Sequence, residues 1–131
     1  MGDEPSQFPS EWLSRLYQTG QWERLVVAAR SNLALHASDP IAHYFTGWGL
    51  VMLNKLDEAK LHVDWLLAEN PENSLFLSLA GHYHFQRRDL PCARTYISEA
   101  IRQDPDSAWS YYTGGLIALE SGDKAMAKAY A

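Results

Sequence analysis

The stretch NPENSLFLSLAGHYHFQRRDLPCARTYISEAIRQDPDS, Asn70 to Ser107, decides how this chain folds. Asn70-Pro71 opens it, Asp104-Pro105 closes it, and Gly81 and Ala93 stand between them. The same residue types recur outward at one spacing. Gly47, Gly81 and Gly115 are 34 residues apart, as are Ala59, Ala93 and Ala127, and as are Pro71 and Pro105. A period of this size signals stacked supersecondary units rather than one core around a cleft. The functional question is then which partner lies on the stack.

Each period reads as helix, short turn, helix. Asp39-Pro40 offers an N-cap acceptor followed by a residue with fixed φ and no N–H to leave unpaired. Helices are expected at 41–53 and 56–68 around a polar break at Asn54-Lys55, and Asn70-Pro71 stops the second. The next pair is expected at 74–86 and from Pro91 to Gln103, with Arg88-Asp89 as the turn. The last unit opens at Asp104-Pro105-Asp106-Ser107 and runs to Glu120. Gly122 turns it, and a final helix begins near Asp123.

In the first unit, Trp12, Leu13, Leu16 and Tyr17 keep helical spacing, Gly20 marks a turn, and Trp22, Leu25, Val26 and Ala29 continue on a second helix. Alternation of period two is sustained nowhere, so the chain reads as all-α. The repeats divide as 9–39, 40–73, 74–107 and 108–131, the last incomplete, after a disordered polar tail at 1–8.

The small residues have a mechanical role. Where paired helices cross closely, any side chain larger than a methyl holds them apart. A helical glycine costs up to about 1 kcal/mol relative to alanine, so three in register imply a packing reason.

These residues resemble the tetratricopeptide repeat family. Its pattern places a small residue on the first helix, held here by Gly47, Gly81 and Gly115. An alanine on the second helix is Ala59, Ala93 and Ala127, and a closing proline is Pro71 and Pro105. A further small position is Leu66 in one unit and Ala100 in the next. The departures are His43 and Leu77 at an aromatic position, and Leu13 and Leu25 at the small positions of the first unit. From Gly20 to Pro40 the spacing reads three residues longer than the family's. The resemblance covers about residues 9–131 and implies a right-handed superhelical solenoid of antiparallel helix pairs, about 3.5 repeats.

Helix 41–53 is apolar nearly all round, whereas one buried face needs only a stripe. Ala42, Thr46, Gly47 and Leu50 form a stripe toward the partner helix. Ile41, Tyr44, Trp48 and Met52 form another. The equivalent places hold Leu75, Ser78, His82 and Phe85 or Gln86 in one unit and Trp109, Tyr112 and Leu116 in the next. The resemblance puts these positions on a concave groove. The expected peptide-binding residues are therefore Ile41, Tyr44, Trp48, Met52, Ser78, His82, Phe85, Trp109, Tyr112 and Leu116. Such a trough suits an apolar or amphipathic helix, or an extended peptide with large side chains. Packing between successive helices is the competing explanation of the same stripe. Groove sites of the family that clamp the carboxylate end of chaperone tails use Lys, Arg and Asn. Here Tyr44, Trp48, Ser78, His82 and Tyr112 stand in those places, which argues against a heat-shock-protein tail.

Composition narrows the classes further. A net charge of -5 argues against a general nucleic-acid binder, which needs clustered Lys and Arg. Cys92, the single cysteine, allows no internal disulfide and suits a reducing compartment, so a cytoplasmic location is expected. Nowhere do 18 apolar residues run consecutively, so no membrane span is expected in this chain.

No catalytic, cofactor or metal site is expected. Histidines without neighbouring cysteines do not make a structural zinc site. His82 and His84 stand two apart on a helix, about 200° around it, and cannot chelate one ion together. A metal shared by His43 and His82 stays open. Cys92 follows Pro91 near a helix start but has no adjacent His or Lys to complete a nucleophile. Gly114-Gly115 lacks the flanking residues of a phosphate loop.

Ala131 falls within the expected last helix, so a domain cut from a longer protein, a homodimer through the open C-terminal end, and a frayed last helix are all open. The expected function is non-catalytic binding of a protein or peptide. The alternatives are a cytoplasmic secretion-type chaperone, and a regulatory or scaffold domain packed in cis on a larger enzyme or membrane protein.

Overall fold

The computed structural model describes residues 8–122. Among them are seven helices and no strand: α1 Ser10–Gln18, α2 Trp22–Leu35, α3 Pro40–Met52, α4 Leu56–Glu69, α5 Ser74–Gln86, α6 Leu90–Gln103 and α7 Ala108–Glu120. The 34-residue register holds in the bounds themselves. Helices α2, α4 and α6 start at Trp22, Leu56 and Leu90, and α3, α5 and α7 end at Met52, Gln86 and Glu120. The expected helix from Asp123, with Ala127 on it, lies outside the described residues.

Local chemistry sets both ends of these helices. Asp39, Asn73 and Ser107, again 34 apart, are the N-caps of α3, α5 and α7. The Asp39 carboxylate accepts from the Ile41 and Ala42 amides at 3.0 and 3.3 Å, and the Asn73 side-chain oxygen from those of Leu75 and Phe76 at 2.9 and 3.2 Å. Each acceptor satisfies amides that a helix start leaves without intrahelical partners.

At the other ends, Gly20, Asn54, Arg88 and Gly122 adopt φ of 69, 61, 65 and 73°. The amide of the following residue donates back to Leu16, Leu50 and His84 at 2.9, 2.8 and 2.9 Å, closing the same left-handed C-terminal turn three times. These four residues also keep the 34 spacing, which corrects the first unit. Its turn is in register with the others, and no three-residue insertion separates Gly20 from Pro40. Ala37 stands where Pro71 and Pro105 stand later, so Pro40 was the wrong landmark.

The chain divides into two compact units that part between His62 and Val63, inside α4. In the first, Leu13, Leu16, Leu25, Ala28, Ala29 and Phe45 form one core, with Trp12, Tyr17, Trp22 and Tyr44 packed against it. Leu13 and Leu25 fill with side-chain volume what Gly81 and Ala93 leave to backbone approach in the second unit. Gly49, not singled out by sequence, sits so close to α2 that a Cβ on it would stand 2.5 Å from Val26 Cγ2 and 3.2 Å from the Trp22 carbonyl oxygen. Phe8, read from sequence as part of a tail, is tied to α2: its amide donates to Asn32 Oδ1 at 2.7 Å and its carbonyl accepts from Asn32 Nδ2 at 2.9 Å. That pairing satisfies an amide side chain only 1 % exposed.

In the second unit α5 crosses α6 at Gly81, where a Cβ would lie 2.5 Å from Ile97 Cδ1 and 3.4 Å from the Ala93 carbonyl oxygen. Ala93, Ile97 and Ile117 form the core there, with Phe85 and Ile101 against it. Ion pairs are peripheral. Arg30–Glu58 at 2.8 Å and Arg88–Glu120 at 3.2 Å are well exposed, where solvent screening leaves such pairs little effect on stability.

Candidate peptide-binding face

Helices α3, α5 and α7 contain no Lys or Arg, and Glu120 is their only carboxylate. The charged side chains of the helices sit on α1, α2, α4 and α6 instead, apart from Glu120. The first helix of each later repeat is therefore the apolar one, and burial decides which of its side chains reach a ligand.

In the first unit the rings close on one another. Tyr17 packs edge-on against Phe45 at 5.8 Å and Trp48 at 5.7 Å between centroids, and Tyr44 against Phe45 at 5.3 Å and Trp48 at 6.4 Å. Edge-to-face pairs at these distances match the ring quadrupoles. Burial raises the phenol pKa of Tyr17, and raises that of Tyr44 to about 12. Trp48 is 0 % exposed. Its placement on a ligand groove is thereby corrected: it is the largest side chain of the interior, held by Tyr17 from α1. Ile41 is exposed at the start of α3, and Tyr44 and Met52 are half-buried.

In the second unit the rings open outward as a ladder. Tyr112, 55 % exposed, stacks on Trp109 at 5.4 Å, and Trp109 stacks on His82 at 6.2 Å with ring planes 14° apart. His82 meets Phe85 edge-on at 5.9 Å. Trp109 is half-buried, while His82 is buried and its desolvation pushes its pKa down to about 4. The ladder thus runs from solvent to a neutral imidazole. Ser78 does not join it. It is buried, and its hydroxyl meets that of Ser110 at 2.5 Å, tying α5 to α7.

Ser78 and His82 are therefore corrected from ligand-facing to interior positions. His82 is buried, with the Trp109 ring stacked on it. Leu75, at the start of α5, is exposed, and Leu116 and Phe85 are half-buried. Of the ten expected residues, Ile41 and Tyr112 are the exposed ones, with Leu75 beside them in kind though not among the ten.

The sequence profile described as tetratricopeptide repeat matches residues 46–108, from α3 into the first residue of α7. Residues 46–108 thus carry the tetratricopeptide repeat. No curated protein matches the chain. Solved tetratricopeptide structures match over most of its length. A thermophilic protein of this family from Thermus thermophilus has a TM-score of 0.82 at 19% identity, covering 93% of this chain and 69% of that one. MamA from Desulfovibrio magneticus RS-1, residues 41 to the end, has a TM-score of 0.73 at 18% identity, covering 92% and 68%. The first tetratricopeptide domain of Spaghetti (RPAP3), bound to the HSP90 peptide SRMEEVD, has a TM-score of 0.69 at 13% identity, covering 86% and 90%. At these identities the likeness is one of fold: an all-α helical repeat.

Within the tetratricopeptide frame the remaining polar groups have local roles. His43 Nδ1 faces His62 Nδ1 at 3.0 Å, and His43 Nε2 faces the Ala37 carbonyl oxygen at 2.8 Å. Both ring nitrogens of His43 therefore have a polar neighbour within the first unit. Burial, then the neighbouring His43, lowers the pKa of His62 to about 4. Cys92 is exposed, and its bond to the Asp89 carboxylate raises the thiol pKa, the opposite of what an activated nucleophile needs. Among the described residues, no helix is long and apolar enough to cross a membrane.

Proposed function

We propose that this tetratricopeptide chain is a non-catalytic interaction module whose ligand is a protein segment carrying a large apolar side chain. The observation that carries this is the ladder Tyr112–Trp109–His82. A tyrosine more than half exposed rests on a tryptophan, itself backed by a buried neutral ring. Tyr and Trp in such a setting are the usual anchors of protein contacts, because they add much contact area for little lost side-chain freedom. Support from relatives is at the level of fold, with a bound peptide in one of them.

The chemistry of the ligand differs from that acidic peptide. Helices α3, α5 and α7 present no Lys or Arg to carboxylates, so the segment taken up here is apolar or amphipathic rather than an acidic tail.

The test is selection from a random peptide library on the wild-type chain, with Tyr112→Ala as counter-bait. Enrichment of peptides rich in aromatic and aliphatic residues, weakened at least about tenfold by Tyr112→Ala, is the expected outcome. Peptides enriched in acidic residues, or equal recovery on both baits, would overturn the reading. So would recovery of no peptide by a folded wild-type bait.

A further inference from the structure

The turn between α5 and α6 gathers three metal-ligating side chains that the sequence keeps apart. His84 lies in the last turn of α5, Asp89 caps α6, and Cys92 sits in the first turn of α6. One ligand atom from each lies within 4.8 Å of the other two. From these positions we infer a three-ligand site for a divalent ion of the zinc class.

Three features shape the site. Asp89 divides its oxygens: Oδ1 accepts from the Cys92 amide at 3.2 Å, while Oδ2 lies 3.9 Å from His84 Nδ1. The cap therefore fixes the carboxylate with one oxygen turned toward the imidazole. The His84 ring is held by stacking on Tyr96 at 5.2 Å with planes 5° apart, and by Tyr83 edge-on at 5.0 Å. The cations beside it have partners of their own: Arg87 donates to the Tyr83 hydroxyl at 2.9 Å and Arg88 to Glu120 at 3.2 Å. Cys92 is exposed, so an ion has access from solvent.

The donor set chooses the ion. One thiolate, one imidazole and one carboxylate suit zinc and its close relatives, with a fourth position left for water. Magnesium and calcium prefer all-oxygen sites. Bond lengths of about 2.0–2.3 Å at tetrahedral angles separate ligand atoms by about 3.5 Å, so closure needs a movement of about 1 Å. A χ1 rotation of about 30° at the exposed Cys92 supplies it. On binding, the thiol proton, now donated to Asp89, leaves to solvent, and the sulfur bonds the ion as thiolate.

The site was hidden in the sequence because neither His84 nor Asp89 makes a recognised zinc spacing with Cys92. The turn that joins them depends on Arg88 at φ 65°. It is independent of the peptide-binding reading, since none of its ligands belongs to the Tyr112 ladder.

Cobalt(II) titration of the whole chain tests it, because a cobalt–thiolate bond gives a charge-transfer band. The expected result is a band saturating at one ion per monomeric chain and displaced by zinc. Cys92→Ser should abolish the band. His84→Ala and Asp89→Asn should each weaken binding at least about tenfold, with Asn keeping the helix cap. Circular dichroism confirms that each variant is folded. Absence of a band at equimolar cobalt would overturn the proposal. So would a band unchanged in both His84→Ala and Asp89→Asn, or one that saturates at half an ion per chain in a dimer joined through two copies of Cys92.

Discussion

Gly81 on α5 and Ile97 on α6 approach so closely that a single added methyl would stand 2.5 Å from Ile97 Cδ1 and 2.6 Å from its Cγ1. The glycine that marks the repeat in the sequence is thus a packing requirement. Gly81→Ala gains up to about 1 kcal/mol of helix propensity and loses about 1–3 kcal/mol to overpacking. A net destabilisation of about 1 kcal/mol is expected in urea denaturation. The Gly81→Ala, Ile97→Ala pair should then fall short of the sum of its single effects, because the added methyl occupies space that Ile97 vacates.

Trp48 and Tyr112 should separate stability from binding. Trp48→Ala removes a fully buried ring and is expected to cost about 3–5 kcal/mol of stability. Tyr112→Ala removes an exposed one and should lie within about 1 kcal/mol of wild type. Denaturant midpoints of the two variants check this.

His82 makes stability depend on pH in a defined window. Its folded pKa is about 4, below the ordinary 6.5, so the unfolded chain binds the proton more readily. Stability is complete above about pH 6.5 and falls as pH drops toward about 4, by up to about 3 kcal/mol for this buried ring. His62, with the same direction, adds to the fall. The carboxylates with lowered pKa values, Glu58, Asp89 and Glu99, lose their contribution only at lower pH. Leu116 occupies the matching place one repeat on, so His82→Leu is the natural variant. Its thermal midpoint should vary less between pH 7 and pH 5 than that of wild type.

Arg88 holds a left-handed conformation that side chains other than glycine adopt at about 1 kcal/mol or more. Its pair with Glu120 is exposed and offsets only part of that. Arg88→Gly should therefore raise stability by about 0.5–1 kcal/mol, read as a higher denaturation midpoint. Glycine already stands at the matching turns Gly20 and Gly122.

Some of this was legible in the residues and some was not, for physical reasons. The pairing of α5 with α6 could be read because Gly81 and Ala93 are small where nothing larger fits. The register of the first repeat could not, because its landmark is a backbone angle. Asn54 and Arg88 adopt the same left-handed turn as Gly20 without sharing its side chain, and Ala37 has replaced the closing proline.

Trp48 was misplaced because α3 is apolar on almost every face. Helical spacing then cannot tell a stripe that meets solvent from one that Tyr17 covers from another helix. Tyr112 and Trp109 are picked out by the same rule, and the exposure of Tyr112 follows from what α7 packs against rather than from spacing. The meeting of His84, Asp89 and Cys92 depends on a turn geometry that no spacing rule encodes.

The central claim, that the open end of the ring ladder anchors a peptide, is tested most directly by the indole N–H signals of the tryptophans in a nitrogen-15 correlation spectrum. A library-selected peptide is titrated into the labelled chain. The Trp109 signal should move in proportion to occupancy while that of Trp48 stays in place, and Tyr112→Ala should abolish the movement. A peptide that binds with Trp109 unmoved, or that shifts Trp48 instead, would contradict the account.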